Sequence, residues 1–454
     1  MAGLTAAWRL SEPGWRDRFE SITVYQRGGR LGGKGASSRG VNGRIEEHGL
    51  HIWLGSYENA FGLLRECYAE LDRATPDPAA PIRTWLEAMV PADNLGLADR
   101  WDSDWLMWLG TFGRNARSPG DNAGTGREMT AVGFVERALQ LIMSFIDSHQ
   151  DSSATGLLLS TSPLRPPSPG RSVDELRRGI LAALLTVADP TGGKPTERLD
   201  SALMAVRDEI DYERRPDHRR SWLLVSLVTA VVRGIVADKL VTHPAGFRSV
   251  NDEDFGQWIV RHGGHPEVLE FPLVRGVYDL VFGYEDADPD RPAVAAGLMI
   301  YLIGLVLFEY KGAIFWKMTA GMGDIVMAPI YQVLRRRGVE FEFFHRVDGL
   351  HLDESHQAIE TITMARQVRL ADGFDHYEPL TRVCGLPVFP STPILHQLAE
   401  PERIPDGGWD SLETHWSERD DAEVRQLRRG IDFDHIVLAV SIGMLPIVAE
   451  ELIE

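Results

Sequence analysis

Nine residues, Arg27-Gly28-Gly29-Arg30-Leu31-Gly32-Gly33-Lys34-Gly35, carry five glycines and follow a β-branched, aromatic stretch at 21–25. Glycine reaches backbone conformations closed to other residues and lets a ligand or another backbone come close. The stretch before it reads as a strand, and Ala2–Leu10 before that reads as a helix with Leu4, Ala7 and Trp8 on one face. A short extended piece at 44–48 and a helix over 57–71 follow. Helix, strand, glycine loop and helix in that order predict an α/β unit rather than a bundle.

At 454 residues the chain is long enough for two domains or one elaborated domain. Hydrophobic and charged residues are 44% and 25%, ordinary globular usage, and the net charge of −19 excludes a nucleic-acid partner, which needs a basic field. Two cysteines far apart, Cys67 and Cys384, exclude a disulfide framework and point to a reducing, cytoplasmic setting. The opening MAGLTAAWRL lacks the basic region and apolar stretch of a signal peptide. The longest uncharged run, 293–308, is shorter than the roughly 20 residues of a spanning helix. It reads as a helix buried in the protein, with a position on a membrane surface as the alternative.

The middle of the chain reads as helical at 129–146, 173–187, 197–212 and 221–238, with a Ser/Thr/Pro-rich loop at 151–171. Asn251, Asp252 or Asp254 caps a further helix carrying Phe255, Trp258 and Ile259. Trp105, Trp108 and Phe112 stand at helical spacing and read as core. His262 and His265 lack metal-ligand spacing, and no metal site is expected. Later, a helix over 325–336 stops at Gly338 before a strand at 339–344. A second strand with hairpin geometry is expected at 358–370, and the apolar run 435–440 reads as a buried parallel strand. Arg335-Arg336-Arg337, at a helix end, reads as a solvated face. The late strands rejoin the first α/β unit, so the expected domains are 1–75 and 316–454 together, with a mostly helical 76–315 between them.

The motifs carry a family resemblance. Ala2-Gly3-Leu4-Thr5-Ala6-Ala7, Ile22-Thr23-Val24-Tyr25-Gln26 and Arg30-Leu31-Gly32-Gly33-Lys34 together resemble the FAD fingerprint of the phytoene desaturase and flavin amine oxidase superfamily. The resemblance implies an α/β fold with a Rossmann-like FAD-binding domain, discontinuous in sequence, and a large mostly helical substrate domain. Gly3 takes the place of the last glycine of a GxGxxG turn, whose first strand and earlier glycines are missing. Gln26 occupies the position of the acidic residue that binds the adenosine ribose, and Lys34 that of an arginine. A glutamine amide still bonds ribose hydroxyls, without charge assistance, and lysine meets a phosphate as a point charge.

Glu46-Glu47-His48-Gly49-Leu50-His51, continuing to Tyr57, is similar to the E-x-G-L-H-x-x-x-G-x-Y segment of carotenoid desaturases. The resemblance puts Glu47, Gly49 and Leu50 near the flavin. His48 or His51 then contacts the flavin or moves a proton, unless each is a satisfied structural histidine. Lys317 to Asp324 resembles the family's G-G-M-G-x-L segment and implies cofactor contacts from Gly321, Met322 and Gly323, with the Val347 backbone on the adenine. The family's closing G-D segment is missing before Glu454, so the chain is expected to be cut at both ends.

The activity implied is hydride transfer from an apolar, isoprenoid or polyene substrate to FAD. The partners implied are that small molecule, an electron acceptor the sequence does not identify, and a membrane touched peripherally. Two alternatives stand beside it within the enzymes, a flavin amine oxidase and a flavin-dependent isomerase. A third is of another class: a flavin-free fragment, or a degenerate, non-catalytic protein serving as a structural or interaction partner.

Overall fold

The computed structural model describes residues 1–47, 49–73, 77–101, 104–124, 204, 207, 208, 212–214, 216–404, 412–416 and 421–453. The chain forms two compact units. One comprises 1–53, 59–90 and 317–454, the other 54–58 and 91–316.

The first unit starts with helix α1 (Ala2–Leu10), which buries Leu4, Ala7 and Trp8, the stripe its spacing predicts. Strand β1 (Thr23–Gln26) leads into the glycine loop, and β2 (Ser37–Arg39) and β3 (Ile45–Glu47) form a short antiparallel hairpin. Helix α2 (Glu58–Leu71) buries Phe61, Leu64, Cys67, Tyr68 and Leu71 along one face. Burial pushes the Cys67 thiol far up, so it stays protonated and inert.

The second unit carries an antiparallel hairpin, β4 (Asn94–Trp101) with β5 (Asp104–Thr111), paired residue for residue. The expectation of helical core aromatics at 105–112 is therefore wrong. Trp105 lies on a strand and is 67% exposed. Three aromatics at helical spacing carry less weight than a run of strand-favouring residues whose neighbour completes its backbone hydrogen bonds. Helices α3 (Pro216–Ala237), α4 (Phe255–Arg261), α5 (Pro272–Val281) and α6 (Ala296–Phe308) pack around Trp222, Trp258, Phe271 and Ile300. Asp254 caps α4 as expected, accepting from the Gly256 and Gln257 amides. Helix α6 buries Ala296, Met299 and Ile300 but exposes Leu298 and Leu302, so it is only half covered. The segments 129–146, 151–171 and 173–187, and most of 197–212, lie outside the described residues.

The first unit resumes with a π-helical turn, Gly323–Met327, running into α7 (Ala328–Arg336). Gly338 ends it at a φ of 83°, with the Val339 amide bonded to the Leu334 carbonyl at 3.0 Å. Strand β6 (Glu340–Phe343) then pairs in parallel with β1, Thr23 opposite Glu340 and Gln26 opposite Phe343. This α/β element is assembled from residues more than three hundred positions apart. Strands β7 (His345–Leu352), β8 (Ile359–Arg366) and β9 (Glu423–Arg428) make a separate antiparallel sheet in the order β7-β8-β9.

Two further expectations change here. The run 435–440 enters no strand, and Val437 and Val440 are exposed. It passes α1 instead, with the Ala439 side chain 3.1 Å from where a Cβ on Gly3 would stand. An apolar run becomes a strand only where a neighbouring edge accepts its backbone. Of 335–337, Arg336 is exposed as expected, but Arg337 is not: its guanidinium lies 3.9 Å from the Trp8 ring and donates to the Trp8 carbonyl and the Glu70 carboxylate. The flat cation gains more from that aromatic face and those acceptors than from bulk water.

Candidate functional site

The glycine loop is fastened at both ends. The Gly28 amide donates to Oε1 of Gln367 at 2.9 Å, and its carbonyl accepts from the Phe344 amide. Gln26, which ends β1, turns its amide onto the Arg27 carbonyl at 2.5 Å. Arg30 is held on several sides. Its Nε and Nη2 form a fork on Glu413 at 2.8 and 2.9 Å, and Nη1 donates to the Ser37 carbonyl and Ser38 Oγ. Leu31 anchors the loop by burial at 2% exposure. Gly32 has a φ of 124°, and a Cβ there would lie 2.9 Å from the Ala36 backbone nitrogen, so glycine is required. Gly33 faces open space, with Lys34 exposed beside it.

Ser37 is the centre of a second layer. Its Oγ donates to Glu47 at 2.8 Å and accepts from the Gly323 amide at 2.7 Å. The same Glu47 oxygen accepts the Met322 amide at 3.0 Å. A Cβ on Gly321 would stand 2.6 Å from Ser37 Oγ, so the 321–323 turn approaches the hairpin closely only because that position is glycine. The other Glu47 oxygen is buried and lies 2.5 Å from His51 Nδ1, a close contact outside hydrogen-bonding geometry. His51 Nε2 stands 3.3 Å from the Lys34 carbonyl; a carbonyl only accepts, so the proton of that contact sits on Nε2.

Asp324 closes the turn. It accepts the Gly321 amide at 3.1 Å and pairs with Arg39, and it is 1% exposed. Burial pushes its carboxyl up to about 6 despite the pull of the Arg39 cation.

Arg30, Gly32, Gly33, Lys34, Glu47, His51, Gly321, Met322 and Gly323 thus belong to one connected region, built from three stretches of chain. The remaining expected site residues have surroundings of their own. Gly3 sits in α1 against Ala439. Val347 is inside β7 opposite Met364 and packs with the cluster around Leu350 and Ile362. Gly49 faces open space and Leu50 is 71% exposed. His48 lies outside the described residues. Sequence reasoning missed Ser37, Arg39, Asp324, Gln367 and Glu413. The first three adjoin recognised motifs, so proximity was a usable signal; Gln367 and Glu413 carry none.

A dinucleotide needs glycines that let its pyrophosphate approach backbone amides, and polar groups held ready for its hydroxyls and rings. Gly33 is open to such an approach. A buried atom without a hydrogen-bond partner, Nε of Arg27, lies in the loop itself. The residues present fit FAD.

Comparison with known proteins points the same way. Residues 1–155 match the family of flavin-containing amine oxidoreductases. The match covers the N-terminal part of the chain and is consistent there with an FAD-binding Rossmann-like fold of the kind flavin oxidoreductases use. A flavin-containing family is consistent with FAD as cofactor. No curated protein matches the chain significantly.

Proposed function

We propose that this protein is an FAD-dependent oxidoreductase of the desaturase or dehydrogenase type, taking hydride from an apolar isoprenoid or polyene substrate. The observation that carries the reading is the convergence of the 30–34 loop, the 47–51 segment and the 321–323 turn on Ser37 and Glu47. Bound FAD supplies a two-electron acceptor for hydride. The chain's own part is to hold and orient. Gly32, Gly33, Gly321 and Gly323 keep backbone free of side chains, Lys34 offers a positive charge, and Glu47 ties loop to turn. His51, between Glu47 and the Lys34 carbonyl, holds a proton on Nε2 within this region.

The test is reconstitution. The purified chain mixed with FAD should retain the flavin through gel filtration, and anaerobic polyene or isoprenoid substrate should bleach its absorption. A chain that never retains flavin overturns the reading. A second reading, an amine substrate, is favoured by the family match. Bleaching by amines and not by polyenes would select it.

An apolar substrate of this class resides in lipid, and the proposal includes peripheral contact with a membrane. Among the described residues no helix is long and apolar enough to cross one. A surface feature of the second unit supports contact: Phe282, at the C-terminal end of α5, is 88% exposed and held at a φ of 53°. That conformation normally belongs to glycine, and an exposed aromatic there gains nothing in water.

A further inference from the structure

The antiparallel sheet β7-β8-β9 buries one face, which carries Leu350, Ile362, Met364 and Leu427, and turns the other to solvent. On the open face Gly349 and His351 of β7 stand opposite Thr363 and Thr361 of β8, which are paired in turn with Gln426 and Arg428 of β9. The 3-10 turn Glu450–Leu452 brings a carboxylate to β7. Oε1 of Glu451 lies 2.8 Å from His351 Nδ1, and its Oε2 accepts the Leu352 amide at 2.8 Å. The other ring nitrogen, Nε2, lies 3.0 Å from Thr363 Oγ1. Hydroxyl, imidazole and carboxylate thus form one chain of hydrogen bonds.

The carboxylate settles where the imidazole proton sits. Its hydrogen bonds from His351 and from the Leu352 amide hold Glu451 below the usual carboxylate range, so it stays ionised and only accepts. The proton of neutral His351 is then on Nδ1, and the lone pair of Nε2 takes a hydrogen bond from the Thr363 hydroxyl. A hydroxyl becomes a nucleophile in this arrangement: a base lies within reach of it, and an acid orients the base. The chain of groups is also open to a ligand. The His351 and Glu451 side chains are 42% and 46% exposed. A Cβ at 349 would stand 2.9 Å from His351 Nε2, so glycine there leaves the imidazole edge beside the hydroxyl uncovered. Gln426 and Arg428, exposed on the same face, offer N–H donors for the oxygen of an attacked carbonyl.

We propose that Thr363, His351 and Glu451 form an acyl-transfer site that hydrolyses small activated carboxylic esters, with Thr363 as nucleophile, His351 as general base and Glu451 as positioning residue. The site neither uses nor needs a flavin. As Thr363 Oγ1 bonds to the ester carbonyl carbon, its proton passes to His351 Nε2. Collapse of the tetrahedral adduct breaks the bond to the alcohol oxygen, and the alcohol leaves with the proton from Nε2. The acyl group stays on Thr363. Water then attacks the acyl carbon and gives its proton to Nε2; the acid leaves, and the proton returns to Oγ1. One ester and one water give one acid and one alcohol, with no change of oxidation state.

The experiment gives p-nitrophenyl acetate to the whole chain, follows p-nitrophenolate release, and locates acetyl groups by mass spectrometry after acid quenching. Acetyl-Thr363 should accumulate in the unaltered protein. Thr363→Val and His351→Gln should each slow release about a hundredfold or more, the usual worth of a positioned base and its nucleophile, while Thr363→Ser keeps it. Glu451→Gln should lower kcat with KM little changed, and Glu451→Asp should recover part of the loss, because a carboxylate fixes the tautomer and an amide does not. A side chain that only fastened the 450–452 turn to β7 would not give that split. Release that persists in Thr363→Val overturns the proposal, since the imidazole is then acting alone. Acetyl on His351 with none on Thr363 overturns it too, as does an unaltered protein that neither releases p-nitrophenolate nor gains acetyl. The acetyl map is read on the unaltered protein, so it decides the matter even where a variant does not fold.

Discussion

Each unit contains a dense polar network, and the two are wired differently. In the second unit Asp238 accepts from Trp258 Nε1 at 2.8 Å, Arg261 Nη2 at 2.9 Å and His262 Nε2 at 2.9 Å, while Arg261 also pairs with Glu253. Burial alone would raise the Asp238 carboxyl, but those hydrogen bonds outweigh it and hold it at about 2. All its members fall between residues 238 and 262 and bond side chain to side chain. The network in the first unit joins residues near 37–47 to 321–324 and bonds side chains to backbone amides. The first arrangement staples neighbouring helices. The second fixes the path of two glycine turns, which is what a ligand that binds backbone demands.

The sharpest way to break this contrast is Glu47→Ala. It strips the acceptor from Ser37 and the Met322 amide and leaves them buried, at a cost of about 3 kcal/mol. Flavin retention should be lost with it, as read by urea denaturation and FAD titration. Asp238→Ala should cost a comparable or smaller amount, about 2 kcal/mol, because Arg261 keeps Glu253 and only the Trp258 and His262 contacts go uncompensated. Its FAD affinity should match the unaltered protein; equal loss of flavin in both variants would erase the distinction.

Asp324 sharpens the comparison through pH. A carboxyl raised by burial holds its proton longer in the folded chain than in the unfolded one. Its stabilising contribution is therefore present at low pH and falls as pH rises from about 4 through about 6. Asp324→Asn should flatten that part of the stability profile in denaturation series run from pH 4 to 7. Asp238, held low, behaves oppositely, and its contribution is lost only as pH falls toward about 2. The smallest effect is expected at Phe282. Phe282→Gly relieves the left-handed conformation and should raise stability by about 0.5–1 kcal/mol, while lowering co-sedimentation with lipid vesicles. Unchanged vesicle binding would remove the lipid contact from the proposal.

Elements whose residues repeat a clear local pattern were legible before any coordinates. Helix α1, strand β1, the Asp254 cap and the Gly338 stop each depend on neighbours within a few positions. The errors came where a pattern had two possible partners. The aromatic run at 105–112 fits helical spacing and strand propensity alike, and pairing with 94–101 decided it. The run 435–440 has strand composition but enters no sheet. Arg337 reads as solvated until Trp8, more than three hundred residues away, is brought beneath it.

The site divides along the same line. The glycine loop, Glu47, His51 and the 321–323 glycines are visible in sequence because close backbone approach admits few residue types. That these stretches share one serine, and that Gln367 ties the Gly28 amide to the Leu412 carbonyl, depends on contacts between distant segments. Local conformational preference is written residue by residue along the chain. The pairing of a buried amide with a carbonyl 45 positions away is settled only when burial makes an unsatisfied polar group costly and the fold supplies its partner.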